Sequence, residues 1–234
     1  MFCGVHGFEN IEGICEMAII LFDLDGTLTD PYYGISNCML YTLSRFNVEE
    51  YPPEEELLRS CIGPPIRESL CLAGIPLDSI DEALTIFDKQ YKSVGIYENS
   101  IYKGIPELLN NLKMNGHTLA VASSKARDFV EIILSYFGII HYFDAIGGAN
   151  LDGSRAEKAE IIECVLKQLC VIEREHIYFV GDRVYDVTGA KAAGISSIAV
   201  LYGYGSRKEL ENSGPDFVVD TVQELTVLLN DLLI

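Results

Sequence analysis

The first sustained pattern along the chain is an apolar block, Ala18 to Phe22 (AIILF), that ends in Asp23, Asp25 and Gly26. A short unbroken apolar run closing on acidic residues and a glycine is how a buried parallel strand looks where it emerges into a site. Similar blocks recur at 117–123 (HTLAVAS), 176–182 (HIYFVGD), 195–201 (ISSIAVL) and 216–220 (DFVVD). Helical periodicity fills the gaps at 105–116, 126–138, 158–169 and 184–194. Strands alternating with helices predict an α/β fold, a three-layer αβα Rossmann-like parallel sheet covered on both faces. The stretch from Pro31 to Ser100 breaks the alternation with amphipathic helical patterns only: ISNCMLYTLSRF, EEELLRSC, IRESLCLAG and IDEALTIFDKQYKS. It reads as an inserted helical cap, residues 31–100, between core segments 17–30 and 101–234. Residues 1–16 carry no period and read as an N-terminal extension.

Composition narrows the partners. Seventeen Lys and Arg against 35 Asp and Glu give a net charge of −18, which opposes both nucleic acid and anionic membrane surfaces. An anionic substrate would then need local positive charge, which a divalent cation supplies. Seven scattered cysteines, an odd number with no C-x-x-C pair, read as reduced thiols. The apolar run at Met17 to Phe22 is too short for a membrane span and has no basic stretch before it. Both features point to the cytoplasm.

Four places at strand ends can carry chemistry, since open α/β sheets bind ligands at the carboxyl ends of their strands. In Asp23-Leu24-Asp25-Gly26-Thr27 one carboxylate can attack phosphorus and the second can act as acid and base, although an acidic turn can also be merely solvated. Ser123, ending LAVAS, can donate to a phosphoryl oxygen or cap the next helix, with Ser124 as an alternative cap. Lys158 opens a helical run and is either a surface charge or a fixed ammonium that offsets phosphoryl charge. In Gly181-Asp182-Arg183-Val184-Tyr185-Asp186 the two aspartates are spaced i, i+4; with Asp23 they suit magnesium, or else they are a helix cap and an unrelated acid.

Taken together and in order, DLDGT, a strand ending in Ser123, Lys158 and GDRVYD resemble the four motifs of the haloacid dehalogenase superfamily of phosphohydrolases. The pieces DLDGTLTD, IGPPIRESL, YKGIPELLNNL, VASSK, GDRVYDVTGAKAAGI and LYGYGS are similar to its phosphoglycolate-phosphatase-like branch. That resemblance implies Asp23 as nucleophile and Asp25 as general acid and base. It implies Mg2+ held by Asp23, Asp25 through its backbone carbonyl, and Asp182, with Asp186 as ligand or close neighbour. Ser123 and Lys158 match the phosphate-binding hydroxyl and lysine, and Thr27, Ser124 and Lys125 are expected as further substrate contacts. Arg67, in Gly63-Pro64-Pro65-Ile66-Arg67, is similar in place to a cap specificity loop and can pair with an anionic leaving group or lie on the surface.

Two departures stand out: Ala159 follows Lys158 where proline is frequent, and Ser123-Ser124 replaces Thr-Asn. The expected substrate is a small phosphorylated metabolite, phosphoglycolate or a nucleoside 5'-monophosphate, and the expected state is monomer or homodimer. A β-phosphoglucomutase-like mutase is the second enzymatic reading. A phospho-accepting receiver is a non-enzymatic one, opposed by the chain length and the helical insert.

Overall fold

In the computed structural model, residues 17–46, 48, 54–150 and 157–233 are described. The chain enters through β1 (Ile19–Phe22), makes a tight turn, and leaves the core along the two-residue β2 (Thr29–Asp30). Four helices follow: α1 (Tyr32–Leu43), α2 (Glu55–Ser60), α3 (Ile66–Leu72) and α4 (Ile80–Ser93). The chain returns along β3 (Ser100–Ile101), antiparallel to β2, with Thr29 opposite Ile101 and Asp30 opposite Ser100. Gly34 and Gly95 meet beside this pair. A β-carbon on Gly34 would lie 2.1 Å from the Gly95 carbonyl oxygen, so the two crossings touch backbone to backbone.

Next come α5 (Ile105–Met114), β4 (Thr118–Ala126), α6 (Arg127–Tyr136), β5 (Ala145–Ala149), α7 (Lys158–Gln168), β6 (Ile177–Gly181) and α8 (Val184–Ala192). The chain ends with β7 (Ser196–Val200), α9 (Arg207–Ser213), β8 (Phe217–Val219) and α10 (Val222–Leu232). Six parallel strands form one sheet in the order β5-β4-β1-β6-β7-β8. Strand β1 lies at the switch point, with β4 on one side and β6 on the other. The residues that follow these three strands therefore converge at one crevice.

Alternate residues of each strand face opposite layers. Ile20 and Phe22 of β1, with Leu119 and Val121 of β4, join the core containing α5 and α10. Leu21, Ala120 and Ala122 face Ile161, Ile162, Val165 and Leu166 of α7. Alanines on that side let α7 approach closely. Gly147 of β5 goes further, since a β-carbon there would sit 2.4 Å from the Val165 side chain.

Six strands stand where the apolar blocks indicate five. The additional one, β5 (AIGGA), has the small residues that close packing demands and only one of the branched side chains that mark a strand in sequence, Ile146. Among the described residues no helix is long and apolar enough to cross a membrane.

Candidate active site

Asp23 follows β1 and is buried, as are Asp25, Asp182 and Asp186. Gly26, at φ +81, turns the chain away in a conformation that favours glycine, and a β-carbon there would strike the Asp182 carboxylate at 2.2 Å. Asp182 follows β6. Its Oδ2 accepts from the Tyr204 backbone N–H at 2.7 Å and its Oδ1 from the Thr27 hydroxyl at 3.4 Å. Gly203 and Gly205 pack directly on Asp182, so the glycines of LYGYGS serve to bring this backbone against the acid. Asp186 stands in the first turn of α8, where its Oδ2 accepts from the Arg183 N–H at 2.9 Å in a capping box.

Asp23, Asp182 and Asp186 each present a carboxylate oxygen to one point, these atoms lying within 4.8 Å of one another. Asp25 Oδ1 is buried and has no hydrogen-bond partner among the described residues. Burial and the mutual repulsion of its neighbours push Asp182 well above the ordinary carboxylate range. Asp186 is raised to about 6, chiefly by burial and against the pull of Lys158. A compact set of buried, mutually repelling oxygen donors is what a hard divalent cation requires.

Lys158 is the first residue of α7 and only 6% exposed. Its ammonium lies 3.0 Å from Asp23 Oδ1 and 2.8 Å from Asp186 Oδ1, and it donates to the Ala122 carbonyl at 3.2 Å. Burial opposes its charge, but Asp186 and Asp23 outweigh burial and hold its pKa above the usual lysine range. Gly189 of α8 leaves the groove through which this side chain passes; a β-carbon there would meet Lys158 Cγ at 2.7 Å.

Strand β4 changes register between Ser123 and Ala126, and this irregularity lets Ser123, Ser124 and Lys125 all line one cavity. The Lys125 N–H donates to Ser123 Oγ at 3.4 Å. The expectation that Ser124 caps the next helix fails, because the strand runs on to Ala126 and Ala126 itself is the N-cap of α6, with no side-chain cap bond.

The Lys125 ammonium pairs with Asp25 Oδ2 at 2.8 Å and donates to Tyr91 Oη at 2.9 Å. Burial raises the Asp25 carboxyl despite that lysine, while Asp25 and Tyr91 together keep Lys125 above its usual value against its own burial. Burial also pushes Tyr91 up to about 12.

The cavity, about 480 Å³, has Asp23 and Asp25 at its base and side chains of α3 and α4 across from them. Tyr91 is a contact that sequence reading missed. It sits four residues after Phe87 on the apolar stripe of α4, where an aromatic reads as core. Thr27 is fully buried against Asp182 and does not line the cavity. Arg67 does line it, from the rim, half-exposed and paired with Asp81 at 2.5 Å.

Arg183 ties the two sides together. It is held by Glu209 at 3.0 Å and donates to the Ile62 carbonyl.

A buried carboxylate pair at the switch point of a parallel sheet, an acidic cluster beside it and two buried lysines define a hydrolase suited to charged, phosphate-bearing substrates. Residues 20–200 match the family described as haloacid dehalogenase-like hydrolase. The chain belongs to that family, as one of its phosphatases, a phosphoric monoester hydrolase. It is 40% identical over 197 residues to a 5'-nucleotidase of Pseudomonas aeruginosa, covering 84% of this chain and 88% of the relative. Tyrosine-protein kinase PtkA of Mycobacterium tuberculosis is 37% identical, over 88% of this chain and 70% of its own. A phosphoglycolate phosphatase of Colwellia psychrerythraea is 31% identical, over 92% and 97%. The crystal structure of a predicted phosphatase from Clostridium acetobutylicum superposes with a TM-score of 0.86 at 36% identity, over 92% of this chain and 99% of that one.

Proposed function

We propose that the protein is a magnesium-dependent phosphatase that hydrolyses a small phosphorylated metabolite through an aspartyl phosphate on Asp23. The observation that carries this reading is the buried ammonium of Lys158 at ion-pair distance from both Asp23 and Asp186, beside the three-aspartate cluster. Asp23, Asp182 and Asp186 would hold Mg2+, with the Asp25 backbone carbonyl as a further donor. When bound, the cation neutralises phosphoryl charge that these carboxylates would otherwise repel.

An Asp23 carboxylate oxygen attacks phosphorus, and the bond from phosphorus to the ester oxygen breaks. Asp25, raised by burial, gives its proton to the leaving oxygen. It then takes a proton from water, which attacks the same phosphorus and releases inorganic phosphate and free Asp23. Ser123, Ser124 and Lys125 hold phosphoryl oxygens, and Lys158 offsets the negative charge throughout. Thr27 acts through Asp182, which it helps to fix.

Residues 31–100 act as a cap on a core of residues 17–30 and 101–234, crossing at the β2–β3 pair. Residues 1–16, read as an extension, lie outside the described residues. Closure of the cap excludes water while the phosphoryl group transfers. The similarity to PtkA admits transfer to another hydroxyl, but Asp25 as a base next to Asp23 favours water.

Asp23→Asn should abolish magnesium-dependent hydrolysis of p-nitrophenyl phosphate with the unfolding profile retained. Substantial residual turnover, or activity indifferent to EDTA, would sink the proposal.

A further inference from the structure

The stretch between α2 and α3 that forms part of the cavity rim is fastened to the core at two points. Gly63, Pro64, Pro65 and Arg67 line the cavity together with Asp23 and Asp25. They follow Ile62, whose carbonyl accepts from the Arg183 guanidinium. The same guanidinium donates to Glu209 of α9 at 3.0 Å, and the Arg183 side chain is only 12% exposed. The rim backbone rests directly on the arginine stem, since a β-carbon on Gly63 would lie 2.8 Å from Arg183 Cγ. The second point is Arg59 of α2, whose guanidinium lies 5.1 Å from the ring centroid of Tyr204.

Both core anchors belong to the framework of the acid cluster. Arg183 follows Asp182 directly, and its backbone N–H donates to Asp186 Oδ2 at 2.9 Å. The Tyr204 N–H donates to Asp182 Oδ2 at 2.7 Å. Asp182 and Asp186 are thus each one hydrogen bond from a residue that grips the rim. Arg183 faces both ways, with its main chain on an acid and its side chain on the rim. A change in how firmly the acids are held reaches residues 59–63 through these two chains of contact. Arginine suits the position, because its planar fork holds a carboxylate and a carbonyl at once in fixed directions.

We propose, resting for its cation on the phosphatase reading above, that Arg183 is a positioning residue that couples occupation of the Asp182 and Asp186 cluster to the seating of rim residues 62–67 on the core. A cation that fixes the two carboxylates fixes the Arg183 main chain, and its side chain then holds the rim. The coupling is reciprocal, so an unseated rim weakens cation binding by the same factor. Losing a hydrogen bond from a charged group shifts such an equilibrium by about tenfold or more.

Amide hydrogen exchange over residues 58–66 of the full chain, in EDTA and with Mg2+ alone, tests this without turnover. Mg2+ should slow exchange there by about tenfold in wild type. In Arg183→Met, which keeps the stem over Gly63 and drops the guanidinium, the slowing should be less than about threefold, with Arg183→Lys between the two. Mg2+ titrations followed by thermal unfolding should show Arg183→Met binding the cation severalfold more weakly than wild type. Arg59→Met removes the second anchor and leaves α8 unchanged; it should cut the slowing about twofold or more, and it carries the test if Arg183→Met does not fold. A wild-type chain that binds Mg2+ without slowed exchange over 58–66, or equal slowing in wild type and the folded variants, overturns the inference while leaving the phosphatase reading in place. If wild type binds no Mg2+ in the titration, that reading falls and takes the inference with it.

Discussion

Replacing Lys158 with methionine, which keeps the length and removes the charge, probes the electrostatic centre of the site. The ammonium sits 3.0 Å from Asp23 and 2.8 Å from Asp186, and all three side chains are 6% exposed or less. Asp182 adds a third carboxylate to the same cluster. Removing one partner of a buried ion pair typically costs about 3–5 kcal/mol, because the remaining charge is left uncompensated. For a chain of this size each kcal/mol moves the Tm by roughly 2–4 °C, so Lys158→Met should lower it by about 6–20 °C in EDTA. Mg2+ binds only the folded cluster, and at a hundred times its Kd it should restore about 2.7 kcal/mol, a large share of the loss. Differential scanning fluorimetry with and without Mg2+ measures both quantities. Lys167→Met, an exposed site on the same helix, is the control and should stay within about 0.5 kcal/mol of wild type. A Lys158→Met protein as stable in EDTA as wild type would refute the claim that this ammonium neutralises the cluster.

Two further outcomes are expected. Asp182 and Asp186 have folded pKa values raised above their unfolded value of 3.8, Asp186 to about 6. In the metal-free protein the folded state thus binds more protons than the unfolded chain, and stability falls as pH rises from about 4 through 6 and beyond. Urea titrations in EDTA should show that fall, Mg2+ should reverse it near pH 7, and Asp186→Asn should flatten it. Arg67→Ala removes an exposed pair with Asp81, a kind of contact worth about 0–1 kcal/mol, and kcat/KM should change by less than about fivefold on any substrate tested; a loss of a hundredfold on one substrate alone would show that Arg67 reads it.

The sequence made the core legible because its strands are doubly covered and therefore apolar throughout. Blocks such as AIILF and IYFVG, each followed by an aspartate, announced both the strand and its functional end. The helices of residues 31–100 were equally plain from their period. What stayed hidden was built from small residues and from tertiary contacts. Strand β5 is alanine and glycine around one isoleucine because α7 must lie close to it, and close packing removes the bulk by which strands are recognised. Ser124 looked like a helix cap, yet the shift in register carries β4 past it into the cavity.

Tyr91 gave no signal, since a tyrosine on an apolar stripe is the ordinary content of a helix interior and its hydroxyl finds Lys125 only in the folded chain. Asp23, Asp182, Asp186 and Lys158 were each ambiguous alone. Their meeting depends on β1 lying between β4 and β6, an order that no local pattern encodes.

The central claim, that Asp23 carries the phosphoryl group, is most directly tested by peptide mass mapping after acid quench of Asp25→Asn incubated with p-nitrophenyl phosphate and Mg2+. The nitrophenolate leaves without a proton, so the first step should proceed while the missing base stalls the second. One phosphoryl group is expected on the peptide containing Asp23, lost when Asp23 is also changed to Asn. An unmodified Asp23 peptide during turnover, or phosphate on any other residue, would contradict it.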